Sequence, residues 1–214
     1  MISIADQKHT DLDERSAPRV NLNDLLQKSA SMHKHLCPRQ VLGVRMGLLG
    51  AELLHMTLPH AQKDMYVITE IDGCTADGIS VATDCWVGRR TLRIEDYGKV
   101  AATFVDVKTN SAFRIVPRND IRERSHKFAP GANGKWNASL IGYQEMPYNE
   151  LFSVQLVDLL TPIEKLISKM GRKAICSKCG EEVNNERELV IGEQVLCVSC
   201  AGKSYYKRLI LNDH

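Results

Sequence analysis

Two Cys-x-x-Cys pairs near the C-terminus, Cys176-Ser-Lys-Cys179 and Cys197-Val-Ser-Cys200, are the residues most ready for chemistry. Seventeen residues separate the pairs, and together they offer the four thiolates of a closed tetrahedral zinc site. Two intervening residues let both sulfurs of a pair turn toward one ion at about 2.3 Å. Four thiolates leave no open coordination position, so this zinc is expected to hold a small fold together rather than act on a substrate. The segment between the pairs, residues 188–196, reads as two short strands turning at Gly192, which makes a zinc ribbon or treble-clef module. A redox dithiol is the rival reading of any one Cys-x-x-Cys; two pairs flanking a hairpin favour the metal.

A second constellation is His33-Lys-His35-Leu-Cys37-Pro38. Pro38 pushes Cys37 out of the helical region and starts a helix behind it. Cys37 is therefore expected just before a helix N-terminus, where unpaired N–H groups and the positive dipole end favour a thiolate. A thiolate beside two imidazoles suits a transition-metal site or a nucleophile, with His35 or His33 as ligand or base. Cys74, in Asp72-Gly-Cys-Thr75, is expected in a turn whose side chains reach a cleft; Cys85 is as easily a core residue. The alternative for each of these residues is helix capping or an inert buried thiol.

The elements that must position these groups are legible in part. A leader is expected over residues 1–20, a main domain over 21–170 and the zinc module over 171–214, with Gly171–Lys173 between them. Asn21 or Asn23 caps a first helix through Met32. A second helix runs from Pro38 to about Thr57, apolar almost all round, and its Gly43, Gly47 and Gly50 allow close approach of a sheet or a dimer partner. Arg45 and Glu52 are its charges, and each needs a partner if buried. Turns surround Gly73 and Gly78; strands are expected at 66–71, 91–94, 100–108 and 112–116. A loop holds Gly131, Gly134 and Trp136, and a long helix covers 148–169 with Pro162 inside it.

Composition bounds the function. The 214 residues are 43% hydrophobic and carry a net charge of +2, enough for a real core and silent about an acidic partner. The first twenty residues are polar and charged, unlike a secretory signal, and no apolar run is long enough to span a membrane. Seven cysteines without such a signal point to reduced thiols in the cytoplasm. The zinc module holds seven Lys/Arg against six Asp/Glu and no basic stripe, which disfavours nucleic acid. Residues 114–127 hold five Lys/Arg against two Asp/Glu. That stretch suits an anionic cofactor such as a pterin phosphate, a nucleic acid, or a solvated face with ordinary ion pairs, the last being the most common.

His33-x-His35-x-Cys37-Pro38 followed by Gly43-Val-Arg-Met-Gly47 resembles the opening signature of the FmdE-like family, named for the E-type subunit of formylmethanofuran dehydrogenase. Gly73-Cys74-Thr75, Met146-Pro147-x-x-Glu150-Leu-Phe152 and the attached zinc finger are similar to that family's pattern as well. Lys34 and Arg39 stand where members carry glycine, which sets two cations beside the site. The resemblance implies an α+β main domain, commonly a homodimer, with the His and Cys residues lining a metal-binding or active cavity. It points to a metal-binding accessory or redox-related protein with a structural zinc and a second transition metal at His33, His35 and Cys37, joined by Cys74. Partners would be a larger oxidoreductase complex or a small anionic ligand. Whether the chain catalyses anything stays open. The other reading is a non-catalytic zinc-ribbon adaptor or regulator that binds protein or nucleic acid.

Overall fold

The computed structural model describes residues 20–58, 60, 62–167, 169–207 and 209, so the expected leader lies outside the described residues except for Val20. The chain divides into two compact units, residues 1–158 and 159–214.

The first unit is α+β. Helix α1 (Leu22–His33) starts at Asn21, whose side chain accepts the Asn23 N–H at 2.9 Å. Helix α2 (Pro38–Leu53) follows, then strand β1 (Met65–Thr69), helix α3 (Cys74–Thr83) and strand β2 (Leu92–Ile94). Strands β3 (Ala102–Asp106) and β4 (Ala112–Pro117) form a hairpin. The short helix α4 (Ile121–Arg124), a 3₁₀ turn over Ser125–Phe128, helix α5 (Gly134–Glu145), the single turn α6 (Tyr148–Leu151) and strand β5 (Phe152–Leu156) complete the unit. The sheet order is β2-β1-β3-β4-β5, with β1 and β2 parallel and every other pair antiparallel. The parallel pair needs a crossover, and α3 supplies it.

Helix α2 is the centre of the core. It packs on α1, α3, α5 and on strands β3 and β4, which is why it lacks a polar face. Val41, Val44 and Met46 are fully buried, together with Val67, Phe104 and Ile115 of the sheet. Its glycines meet what the sequence leaves unnamed. A β-carbon at Gly47 would lie 2.7 Å from Ala82 Cβ of α3, and one at Gly50 would enter the Phe104 ring of β3. Arg45, 8% exposed, donates to the carbonyls of Tyr143 (2.7 Å), Gln144 (3.3 Å) and Met146 (2.5 Å) and lies 4.6 Å from the Tyr148 ring centroid. It thereby closes the C-terminal end of α5. Glu52 is exposed.

Four expectations are corrected. The second helix ends at Leu53, because His55 adopts a left-handed conformation (φ 54°). The segment around Gly73 and Gly78 is mostly helix: Gly73 (φ 74°) precedes α3, and Gly78 lies inside it against α2. Residues 134–145 form α5 rather than a loop; its buried face is Ala138, Ser139, Gly142 and Tyr143, too small and polar to read as an apolar stripe. The helix expected over 148–169 is one turn, a strand and, after Pro162, another single turn, α7 (Ile163–Leu166). Residues 152–156 satisfy a strand because β4 offers an edge, with Ile115 opposite Val154 and Arg114 bonded to Gln155 at 3.0 Å.

In the second unit, β6 (Lys173–Ile175) pairs with β7 (Glu182–Asn184), and β8 (Leu189–Ile191) with β9 (Gln194–Leu196). The β8–β9 turn contains Gly192 (φ 60°), as its position in the sequence requires. A short π-type turn, Ser199–Lys203, carries Cys200. Among the described residues, no helix is long and apolar enough to cross a membrane.

Candidate functional site

The helix start at Pro38 sets Cys37 in an extended conformation (φ −122°, ψ 159°) as the residue capping α2. Gln40 fixes it there. The Gln40 side-chain carbonyl accepts the Cys37 N–H at 2.8 Å, and its amide donates to the Ser29 carbonyl at 2.7 Å and hydroxyl at 3.1 Å. Gln40 is wholly buried, so every one of these bonds replaces a lost bond to water. A Gln three residues after a cap is a capping-box signal that the sequence carries openly.

Helix α3 begins at Cys74, and its thiol is a close enough neighbour of Cys37 for the two sulfurs to influence each other's ionisation. Burial pushes the Cys74 thiol up from its ordinary value, and the neighbouring Cys37 sulfur adds to the rise. Cys74 therefore keeps its proton at neutral pH and has one to donate. The next residue, Thr75, is 1% exposed, and its hydroxyl has no partner among the described residues. Cys85 is buried, with its Sγ 3.6 Å from the Met65 carbonyl; it belongs to the core.

The two histidines are held differently. His33 ends α1 and places Nε2 2.6 Å from the Asp77 carboxylate of α3. His35 is exposed and places Nδ1 2.9 Å from the His33 carbonyl. In each ring one nitrogen faces an acceptor oxygen and so carries a proton; in the neutral form the other, His33 Nδ1 or His35 Nε2, offers a lone pair. The rings stand edge to face, with centroids 6.4 Å apart. Thus the structure brings Cys37 to Cys74 and His33 to Asp77, but it does not gather His33, His35 and Cys37 around one point. Asp77 joins the site only in three dimensions; nothing in the sequence marks it, because only the α1–α3 contact brings it to His33.

Cys37 also borders a cavity of about 1010 Å³ between the start of α2, the end of β4, α4 and α5. Leu42, Ile121 and Tyr143 supply apolar lining, and Arg39, Arg118 and Trp136 are among its polar and aromatic walls.

In the second unit, the Sγ atoms of Cys176, Cys179, Cys197 and Cys200 all lie within 4.8 Å of one another, and Cys179 and Cys197 are 4.0 Å apart. Sulfurs about 2.3 Å from a tetrahedral zinc stand about 3.8 Å apart, so the four residues fit the ion. Among the described residues, this is the only group of three or more such side chains close enough to share a metal. Without a cation the four thiols compete for protons. Backbone N–H groups of Cys197 and Cys179 hold Cys176 down to about 6, whereas the neighbouring Cys197 thiol pushes Cys200 up to about 12. A dication removes that conflict by binding all four as thiolates.

Comparison with known proteins agrees with both units. Residues 32–153 match the family model described as FmdE, molybdenum formylmethanofuran dehydrogenase operon, and residues 171–206 match that of the prokaryotic dksA/traR C4-type zinc finger. A curated protein of Archaeoglobus fulgidus, described as a "Probable S-adenosyl-L-methionine-binding protein", is 30% identical over 215 residues, covering 90% of this chain. The chain spans 56% of that relative's length. The crystal structure of a tungsten formylmethanofuran dehydrogenase FmdE-like protein from Syntrophus aciditrophicus is similar in fold, with a TM-score of 0.54 at 20% identity, covering 92% of this chain and all of that one. With its family match over more than half its length, its α+β sheet and its four-cysteine module, the chain belongs to the FmdE family and carries a C-terminal zinc finger.

Proposed function

We propose that this FmdE-family chain is a metal-binding accessory protein with a second metal centre in its α+β unit, built on Cys37 and Cys74 and completed by His33 and His35. The observation that carries the reading is the placing of two neighbouring cysteines at the N-termini of α2 and α3, which pack side by side with Gly43 against Thr75. A metal would take both sulfurs as thiolates, displacing the proton that Cys74 otherwise keeps. The imidazoles support it too: a ligating histidine usually donates its other N–H to a carboxylate or a carbonyl, as His33 and His35 do to Asp77 and to the His33 carbonyl. His35, being exposed, can turn to bring Nε2 in. A bound transition metal would supply Lewis-acid or redox chemistry; the chain's own part is to present two sulfurs and two oriented nitrogens.

Elemental analysis of anaerobically purified protein tests this. Two metals per chain are expected, one lost from Cys37→Ser and from Cys74→Ser, the other from Cys176→Ser. A single zinc, lost only with Cys176→Ser, sinks the second centre.

The same thiol pair supports a second reading, a redox dithiol in which both thiols are oxidised to one disulfide with loss of two protons and two electrons to an acceptor. It predicts a reversible Cys37–Cys74 disulfide in metal-free protein, seen by mass spectrometry after differential alkylation. A homodimer and a place in a larger oxidoreductase complex rest on the family resemblance.

A further inference from the structure

The basic stretch 114–127 divides into two kinds of residue. Arg114 forms a bidentate pair with Glu70, at 2.5 and 2.8 Å, and Arg124 pairs with Glu150 and Asp120. These are the ordinary ion pairs of a structural face. Arg118 and Arg122 instead line the cavity beside Cys37, where they are joined by Arg39 of α2 and Lys135 of α5. Among the described residues, none of these four side chains has an ion-pair or hydrogen-bond partner. Glu123 is the lone carboxylate lining the same space, and His126 its single imidazole.

Two helices also begin at this cavity. Cys37, Pro38 and Arg39 at the start of α2 line it, as do Lys135 and Trp136 in the first turn of α5. Neither helix has an acidic residue in its first turn, and Asn133 gives α5 no side-chain cap. First turns favour negative charge, so both ends add to the field of the four cations. The walls between are apolar, and Trp136 is 53% exposed beside Lys135. A volume of about 1010 Å³ suits a small molecule rather than a protein segment.

We infer that this cavity binds a small polyanion with a planar aromatic body, its phosphate or carboxylate groups on Arg39, Arg118, Arg122 and Lys135 and its ring on Trp136. Guanidinium forks take such groups bidentately, and an exposed indole offers a stacking face. The site stands apart from the thiol reading: Cys37 borders it, but no sulfur is needed for binding. The charge also argues against moving the ligand named for the Archaeoglobus relative to this cavity, since S-adenosylmethionine carries a sulfonium and an ammonium against one carboxylate.

Four probes separate charge from ring: inorganic pyrophosphate, ADP, adenosine and S-adenosylmethionine, titrated calorimetrically into the zinc-loaded full chain at low salt. ADP is expected to bind tightest, pyrophosphate next, and adenosine and S-adenosylmethionine at least about tenfold more weakly than ADP. Arg118→Gln with Arg122→Gln should weaken ADP and pyrophosphate by about tenfold or more and flatten the salt dependence. Trp136→Ala should weaken ADP alone. Cys74→Ser, which removes a proposed metal ligand outside the cavity wall, should leave ADP affinity unchanged, which distinguishes failure here from failure of the metal centre. No saturable binding of ADP, equal affinity for adenosine, or indifference to the double Arg substitution in a variant of normal melting temperature would overturn the site.

Discussion

Gly78 lies directly against the main chain of Gln40: a β-carbon on Gly78 would stand 2.5 Å from the Gln40 carbonyl oxygen and 2.9 Å from the Val44 nitrogen. The same Gln40 holds the Cys37 N–H with its side chain. One residue thus sets both the spacing of α2 from α3 and the conformation of Cys37, so helix packing and thiol geometry are linked.

Gly78→Ala should therefore destabilise the protein, although alanine favours helix by about 1 kcal/mol. The contact is backbone on backbone and cannot yield by rotamer change, so a net loss of about 1–3 kcal/mol is expected in urea unfolding. Gly88→Ala, with open space around the new methyl, should stay within about 0.5 kcal/mol of wild type. If Gly78→Ala is as stable as wild type, the α2–α3 contact is looser than described.

Arg45→Met keeps much of the side-chain volume but leaves the carbonyls of Tyr143 and Met146 without their donor. A loss of about 2–3 kcal/mol is expected, concentrated at the end of α5. Hydrogen exchange should report faster opening of residues 142–146; unchanged protection there would show that Arg45 does not hold that helix end.

The hydrogen bonds from Arg114 hold the Glu70 carboxyl below the usual carboxylate range. The unfolded chain then binds the proton more readily, so this pair's stabilisation is complete above about pH 4.3 and fades as pH falls toward the lowered folded value. Wild type should lose stability between about pH 5 and 3 more steeply than Glu70→Gln. At pH 7, Arg114→Ala is expected to cost about 2 kcal/mol. Parallel acid-unfolding curves for wild type and Glu70→Gln would remove the pair from the account.

Asp77→Asn preserves shape but removes the charge that orients His33. If the second metal centre exists, its affinity should fall about tenfold or more in competition with a chelator dye, while the C-terminal zinc is retained. Equal affinity in both proteins would mean that His33 does not act as a ligand backed by Asp77.

Zinc removal should unfold the C-terminal unit by itself. Its strands are three residues long, and its buried hydrophobic side chains are few. Chelation or Cys176→Ser should collapse amide dispersion for residues of the β6–β9 strands and leave that of residues 20–158 in place. Retained dispersion without metal would show that the hairpins stand unaided.

The C-terminal module was legible because local spacing fixes it: two Cys-x-x-Cys pairs and a glycine turn define their geometry within about twenty-five residues. The place of Cys37 was legible for the same reason, since Pro38 constrains the residue before it. Helix α5 was not, because its buried face of Ala138, Ser139, Gly142 and Tyr143 carries no continuous apolar stripe and gains its stability from contact with residues 125–128 and α2. Strand β5 reads as helix in the sequence because Phe152, Leu156, Leu159, Leu160 and Ile163 recur at helical spacing; the alternation of Phe152, Val154 and Leu156 prevails only once β4 provides an edge to pair with.

The sequence by itself determined the zinc module, the cap before α2 and a helix without a polar face, each through restrictions that act over a few residues. Only the tertiary structure decided that Cys74 meets Cys37, that Asp77 orients His33, and that Arg118 and Arg122 face a cavity while Arg114 and Arg124 are paired. Those relations join residues tens of positions apart. They depend on how two helices approach through glycine and on which carboxylates the sheet carries to which arginine, and no local pattern encodes either.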